Sequence, residues 1–339
     1  MTTIRDIARE AGFSVSTVSR VLAGHRDVSE STAATVQAVI DKRQFSVNRN
    51  ARNLKQSGTT PTVLAVVKGR RNMLFASMLE QVQTAVTATG LTVATQYLDE
   101  DRNEVADAER FVREIKPRGV VFLGGNAEHL ASHARLIGEE CPAVVLTNSV
   151  AGLGLSAISS VTTDDQAAGR AAVEHLLGYG HRRIGVIGGS PELSSMPRNR
   201  REGVLQAMSD HGLDFDPAQY VDTRFSLSSG FRAAQRLIDQ VPGITAIYAM
   251  SDIMALGALR GLYERGMRVP DDISLIGHDG IEMSSYVVPK LVTIRQPEDV
   301  MATRGVEILM RHIDGDPTPV DEVVDFEILA GESVRSLEE

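Results

Sequence analysis

Thr3-Ile-Arg-Asp-Ile-Ala-Arg-Glu-Ala-Gly-Phe-Ser-Val-Ser-Thr-Val-Ser-Arg-Val-Leu22 decides how the amino-terminal part of this chain is read. Ile4, Ile7, Ala8 and Ala11 recur at helical spacing and form one apolar stripe. Gly12 ends that helix where a tight turn requires a permissive backbone. Ser14 is placed to cap a second helix whose inner face is Val18, Val21 and Leu22. The outer face is then Val15, Ser16, Thr17, Ser19 and Arg20, small and hydroxyl-rich with one guanidinium. A solvated helix face usually carries more Glu and Lys. Side chains this small let a helix lie deep in a DNA major groove, with Arg20 long enough for a bidentate contact to guanine. The spacing predicts a helix-turn-helix that reads duplex DNA.

Outward from this motif, Ser29 caps a third predicted helix running to Lys42, with Val36, Val39 and Ile40 inward. Residues 1–46 thus read as an all-α DNA-binding head. Residues 47–60 read as a hinge and linker. Asn48 to Gln56 is helix-compatible, yet only Ala51 and Leu54 form an apolar side, at i,i+3. So short and polar a helix is unstable alone in water, so the segment is expected to order on a partner. From Thr62 the pattern becomes alternating strands and helices. Strands are predicted at Val63–Val67, Leu91–Ala94, Val120–Leu123 and Ala143–Leu146, with helices at 73–89, 102–115 and 127–139. A second series places strands near Ser160–Thr162, Ile184–Ile187, Ile244–Ala249 and Ile273–Ile276, with helices near 164–178, 198–211, 228–239 and 252–264. Such alternation implies right-handed crossovers and parallel sheets. The expected fold class is α/β, with residues 61–339 forming two similar lobes around a cleft. Ligands of such folds sit outside the carboxyl ends of the strands.

The 339 residues are 42% apolar, which is globular, and no apolar run reaches the about 18 residues needed to span a membrane. The polar amino terminus carries no export signal, so a cytoplasmic location is expected. The net charge of -9 argues against a general nucleic-acid coat. Its distribution is uneven: residues 1–60 hold nine Lys+Arg against five Asp+Glu, and the remainder 26 against 39. A basic head on an acidic body suits a DNA binder that is held off DNA elsewhere. Cys141, the single cysteine, precludes an internal disulfide and reads as a buried thiol. No enzyme constellation emerges. The glycines of Gly185-Val-Ile-Gly-Gly-Ser190 lack the dinucleotide spacing, and His129 and His133, at i,i+4, have no third ligand nearby. Neither a metal nor a cofactor is expected.

The order of these parts resembles the lactose-repressor/galactose-repressor (LacI/GalR) family of bacterial transcription regulators. The head matches the family pattern from Thr3 to Leu22 at every fixed position, and the hinge resembles its Asn-x-x-Ala-Arg-x-Leu through Asn48, Ala51, Arg52 and Leu54. His175-Leu-Leu-Gly-Tyr-Gly-His-Arg-Arg-Ile184, Arg200-Arg-Glu-Gly203, Gly277-His-Asp279 and Pro289-Lys-Leu-Val-Thr-Ile-Arg-Gln296 carry the likeness through the body. The resemblance implies a homodimer on near-palindromic operator DNA, with an effector domain like periplasmic sugar-binding proteins. It implies base reading by Val15, Ser16 and Arg20 and phosphate contacts from Ser14, Thr17, Ser19 and Ser29. It places Asn48, Ala51 and Leu54 at the operator centre, with Leu54 wedged into the minor groove, where unstacking a step bends the duplex. Two departures are Val47, where the family usually has proline, and Val15, which offers only an apolar contact.

Matching motifs also gives effector candidates: Asn72, Phe75, Thr147, Arg200, Phe225, Ser251, Asp279 and Gln296. One or two aromatics among polar groups suit a carbohydrate or a similar polyhydroxy ligand, while Arg200 and Asp279 suit hydroxyls through a fork and a carboxylate. Asp252 reads as a helix cap. Lys68-Gly-Arg-Arg71 leaves room for an anionic effector. The expectation is a repressor controlled by a small-molecule effector, most simply a sugar. Its rivals are a global regulator switched by a protein partner, and a solute-binding protein. The residues after Leu329 contain no leucine heptad, so a dimer is expected.

Overall fold

A computed structural model describes residues 4–22, 29–42, 61–69, 72–133 and 136–337, which fall into two units, Met1–Thr60 and Pro61–Glu339. In the first unit the described helices are α1 (Ile4–Ala11), α2 (Val15–Leu22) and α3 (Glu30–Lys42). Ile7, Ala8, Val18 and Val36 are buried together, with Ala11, Phe13, Val21 and Val39 packed around them. Gly12 takes φ +73°, which turns the chain between α1 and α2. Ser14 Oγ accepts the Thr17 N–H at 3.1 Å and caps α2, and Ser29 Oγ accepts the Thr32 N–H at 3.3 Å and caps α3. The hinge and its Asn48, Ala51 and Leu54 lie outside the described residues.

The second unit is built from two six-stranded sheets. The first lobe uses β1 (Thr62–Lys68), α4 (Met73–Ala88), β2 (Thr92–Leu98), α5 (Glu104–Ile115), β3 (Gly119–Leu123), α6 (Ala127–His133), β4 (Ala143–Leu146) and β5 (Ile158–Thr162). The second uses α7 (Asp165–Gly178), β6 (Ile184–Gly188), α8 (Ser195–Asp210), β7 (Tyr220–Asp222), α9 (Leu227–Gln240), β8 (Ala246–Ala249), α10 (Asp252–Glu264), β9 (Ser274–Asp279) and β10 (Val292–Arg295). Then α11 (Glu298–Ile313) and β11 (Asp321–Val323) return to the first lobe, and β12 (Glu327–Leu329) returns to the second. The strand orders are β2-β1-β3-β4-β5-β11 and β7-β6-β8-β9-β10-β12, the same winding twice. Every pairing is parallel except β10 with β12. Strands such as β3, β4 and β6 are buried along their whole length, as helix-covered parallel strands must be.

The strand near Ser160–Thr162, expected to open the second series, instead lies in the first sheet, pairing Leu146 with Val161 and Val323 with Thr162. The chain therefore passes between lobes after β5, after β10 and after β11. Of the helix expected over 127–139, Ala127–His133 is helical, whereas residues 136–139 are not: Gly138 turns at φ +93° and Ile137 bridges to Cys141. Cys141 is 1% exposed, and burial raises its thiol to about pKa 12, so it is inert at neutral pH. No described helix is long and apolar enough to cross a membrane.

The Arg200–Gly203 motif acquires a structural reason here. A Cβ on Gly203 would lie 2.0 Å from the Gln166 carbonyl oxygen, and one on Gly169 would lie 2.2 Å from the Arg200 carbonyl oxygen. Helices α7 and α8 therefore meet backbone to backbone. Gly203→Ala is expected to push them apart and cost about 1–3 kcal/mol. Thermal denaturation monitored by circular dichroism checks this; an unchanged Tm would contradict the close crossing.

Candidate functional site

On the head, the caps orient the outer face of α2. Thr17 is half-buried, its hydroxyl 2.8 Å from Ser14 Oγ. The Ser29 hydroxyl donates to Thr32 Oγ1 at 2.8 Å, so Ser14 and Ser29 hold helix starts as well as facing outward. Val15 is 42% exposed and Arg20 is exposed, one near each end of α2. The side chains of Ser16 and Ser19 are outside the described set.

In the second unit the carboxyl ends of both sheets meet around a cavity of about 680 Å³. Its lining comes from the residues that follow strands: Lys68 and Gly69 at β1, Glu100 and Asp101 after β2, Gly124 to Asn126 after β3, Thr147 and Asn148 after β4. Gly189 and Ser190 follow β6, and Asp222 to Phe225 follow β7. Each lobe supplies one aromatic wall seated on a glycine. A Cβ at Gly124 would lie 2.7 Å from the Phe75 ring, and one at Gly189 would lie 2.6 Å from the Phe225 ring. Asn72 caps α4 by accepting the Phe75 N–H at 3.4 Å.

Buried charge is compensated. Lys68 Nζ donates to Glu104 Oε2 at 2.7 Å, His129 Nδ1 lies 3.0 Å from the same oxygen, and the Asn126 N–H donates to Oε1 at 2.5 Å. Burial opposes the charge on Glu104, but Lys68 and these hydrogen bonds outweigh it and hold its pKa below the usual carboxylate value. The lobes also touch across the cavity. Asn126 Nδ2 donates to the Leu193 carbonyl at 2.9 Å, and Arg198 and Arg224 stand 3.6 Å from Glu128 and Asp101. Among the described residues no group of three or more His, Cys, Asp or Glu is placed to hold a metal.

Residues 3–48 match the bacterial regulatory proteins of the lacI family, and residues 173–334 match the periplasmic binding protein-like domain. The HTH-type transcriptional regulator MalR of Clostridium butyricum is 33% identical over 337 residues, covering 97% of this chain and 98% of its own. The chain belongs to the LacI family of bacterial regulatory proteins. The HTH-type transcriptional repressor PurR of Photobacterium profundum is 30% identical over 313 residues, covering 92% of either chain. Among solved structures, the transcriptional regulator CelR in complex with cellobiose is 26% identical, with a TM-score of 0.72, covering 98% of this chain and 100% of that one.

Of the cleft residues singled out in this LacI-family sequence, Asn72, Phe75, Thr147 and Phe225 line the cavity. Arg200, Ser251, Asp279 and Gln296 are not among those lining residues; they are buried and hydrogen-bonded within the protein. Arg200 donates to Asp165 Oδ1 at 2.8 Å and to the Met250 carbonyl at 2.7 Å. Gln296 Nε2 donates to Asp279 Oδ1 at 2.9 Å, and Ser251 Oγ caps α10 through the Met254 N–H at 3.3 Å. The capping role expected of Asp252 therefore belongs to Ser251. Asp252 is fully buried and instead accepts from Thr293 Oγ1 at 2.6 Å and the Ile281 N–H at 2.9 Å. Glu100, Glu104, Asn126 and Asn148 escaped the motif matching. Their only signal is position, one to three residues beyond an apolar strand or opening the next helix.

Burial raises the pKa of Asp279 to about 7 from the usual 3.8, with Arg200 and the Gln296 amide opposing the rise and Asp165 adding to it. Between about pH 4 and pH 7 the folded chain thus holds a proton that the unfolded chain has lost, so this group lowers stability as pH rises. Asp279→Asn is expected to be more stable than wild type at pH 7.5, with the gain shrinking towards pH 4. Urea denaturation across that range checks it; a gain independent of pH would remove Asp279 as the titrating group.

Proposed function

We propose that this protein is a repressor that binds near-palindromic operator DNA as a homodimer and releases it when a sugar or sugar derivative occupies the cavity of its second unit. The observation that carries the reading is the lining: two phenylalanines seated on glycines, one from each lobe, among hydroxyls, amides and paired charges. Such a lining suits a polyhydroxy ligand, whose ring faces meet the aromatics and whose hydroxyls meet the polar groups. The cellobiose complex of CelR, alike over nearly the whole chain, supports a carbohydrate. The head supports the DNA half of the reading. On α2, exposed Val15 is apolar and suits a thymine methyl, and Arg20 suits guanine. Ser14, Ser16, Thr17, Ser19 and Ser29 supply hydroxyls for phosphates and base edges. In the hinge, Asn48, Ala51 and Leu54 are assigned to the operator centre.

The ligand acts by favouring one arrangement of the lobes, and a coupling of about 1–3 kcal/mol changes operator affinity roughly 5–150-fold. With an operator selected from random duplexes, fluorescence anisotropy with and without maltose, cellobiose and galactose tests this directly. A sugar is expected to weaken operator binding by that factor, and a panel with no effect would turn the reading towards a protein partner or another effector. Arg20→Ala is expected to cost about 1–3 kcal/mol of operator binding and to relax selectivity at one base pair. Leu54→Ala is expected to abolish tight operator binding while sugar binding persists; unchanged affinity would reject the wedge. Light scattering should give twice the 36.6 kDa chain mass, and a larger species would reject the dimer.

A further inference from the structure

We propose that Asn126, Asp101 and Glu128 of the first lobe form, with Leu193, Arg224 and Arg198 of the second, a clasp that holds the lobes together at the mouth of the cavity, so that the cavity opens only when these contacts part. The inference concerns the lobes themselves and stands whatever occupies the cavity. The winding of the sheets puts these residues where a clasp has most leverage. The passages between lobes leave from β5, β10 and β11, at one edge of each sheet. Asp101 follows β2, and Asn126 and Glu128 follow β3, while Leu193 and Arg198 follow β6 and Arg224 follows β7. These strands lie toward the opposite edges. A contact there resists opening with a longer lever arm than one beside the passages.

Asn126 is the buried member of the clasp, only 8% exposed. Its N–H donates to Glu104 Oε1 at 2.5 Å, its Oδ1 accepts the Glu128 N–H at 3.0 Å, and its Nδ2 donates to the Leu193 carbonyl at 2.9 Å. The bond from Glu128 fixes which end of the amide is oxygen, so the nitrogen faces the other lobe. Around it the charges are sorted by lobe. The first lobe brings the carboxylates, Glu128 at 3.6 Å from Arg198 and Asp101 at 3.6 Å from Arg224. Glu100, next to Asp101, has its charge favoured by Arg224 and by the Phe225 N–H, both of the second lobe. Arg198 Nε also donates to the Pro191 carbonyl at 2.9 Å, which ties the Leu193 loop to the same guanidinium. Both ion pairs are exposed, so each is weak alone and screened by salt, whereas the Asn126 bond is shielded.

Hydrogen–deuterium exchange of the full chain, read by mass spectrometry over residues 189–197 and 222–226, tests the clasp and needs no ligand. Asp101→Arg and Arg224→Asp are each expected to speed exchange at 222–226 about two- to fivefold, and the two together to restore most of the protection. Raising NaCl from about 0.05 M to about 1 M should act as either single change does. Asn126→Ser keeps an acceptor for the Glu128 N–H but cannot reach Leu193. Exchange is therefore expected to rise about two- to tenfold at 189–197 and to stay unchanged in α6. Exchange unchanged at both clasp segments, or no recovery in the paired swap, would overturn the proposal. Acceleration that spreads to β8, inside the second lobe, would make these residues general supports of the fold and overturn it too.

Discussion

Parallel strands can be joined only by crossovers that return to the same edge, so all their carboxyl ends point one way and all their outgoing loops gather there. In this protein that constraint acts twice, because the two sheets share one strand order. Each lobe therefore offers the same set of positions to the cavity, and different side chains fill them. Phe75 over Gly124 and Phe225 over Gly189 are the clearest pair, an aromatic ring seated where a strand-end glycine leaves room. The remainder of the lining follows from which polar residue happens to succeed each strand.

Low-dielectric surroundings make every buried charge answerable to a neighbour. At the cavity the first lobe answers with Glu104, shared among Lys68, His129 and the Asn126 backbone. The second lobe is less balanced. Asp165, Asp252 and Asp279 are buried with Arg200 as the cation among them. Arg200 pairs with Asp165, yet burial raises the pKa values of all three carboxyls, Asp165 included. His278 stands in the same interior, its Nδ1 2.8 Å from the Tyr248 hydroxyl, and burial keeps it neutral. This interior is thus a proton-holding network, and Gln296, between Asp279 and Thr163, links it to the strands that pass between lobes.

Much of this was legible in the chain. The stripe Ile7, Ala8, Val18 and Val36 closes the head core, and the apolar runs of β1, β3, β4 and β6 sit where their composition placed them. What a sequence leaves unwritten is partnership. The residues of β5 announce a buried strand without naming its sheet. Three-residue strands such as β7, β11 and β12 are too short to show a period. The same limit explains the site. Phe75 and Phe225 are recognisable by type, but that Arg200 is buried against Asp165, and Asp279 against Gln296, is a partnership no local stretch of sequence displays. Asn126 is one amide after one strand, conspicuous only when its nitrogen is found on the Leu193 carbonyl of the other lobe.

The three passages between lobes carry a mechanical consequence. They leave from β5, β10 and β11, at the same edges of the two sheets, and β5 pairs with β11 as β10 pairs with β12. A single strap would let two bodies swivel, roll and splay. Three adjacent strips oppose swivelling and rolling more than a single strap can, and hinder least a bending about the line they share, as in a piano hinge.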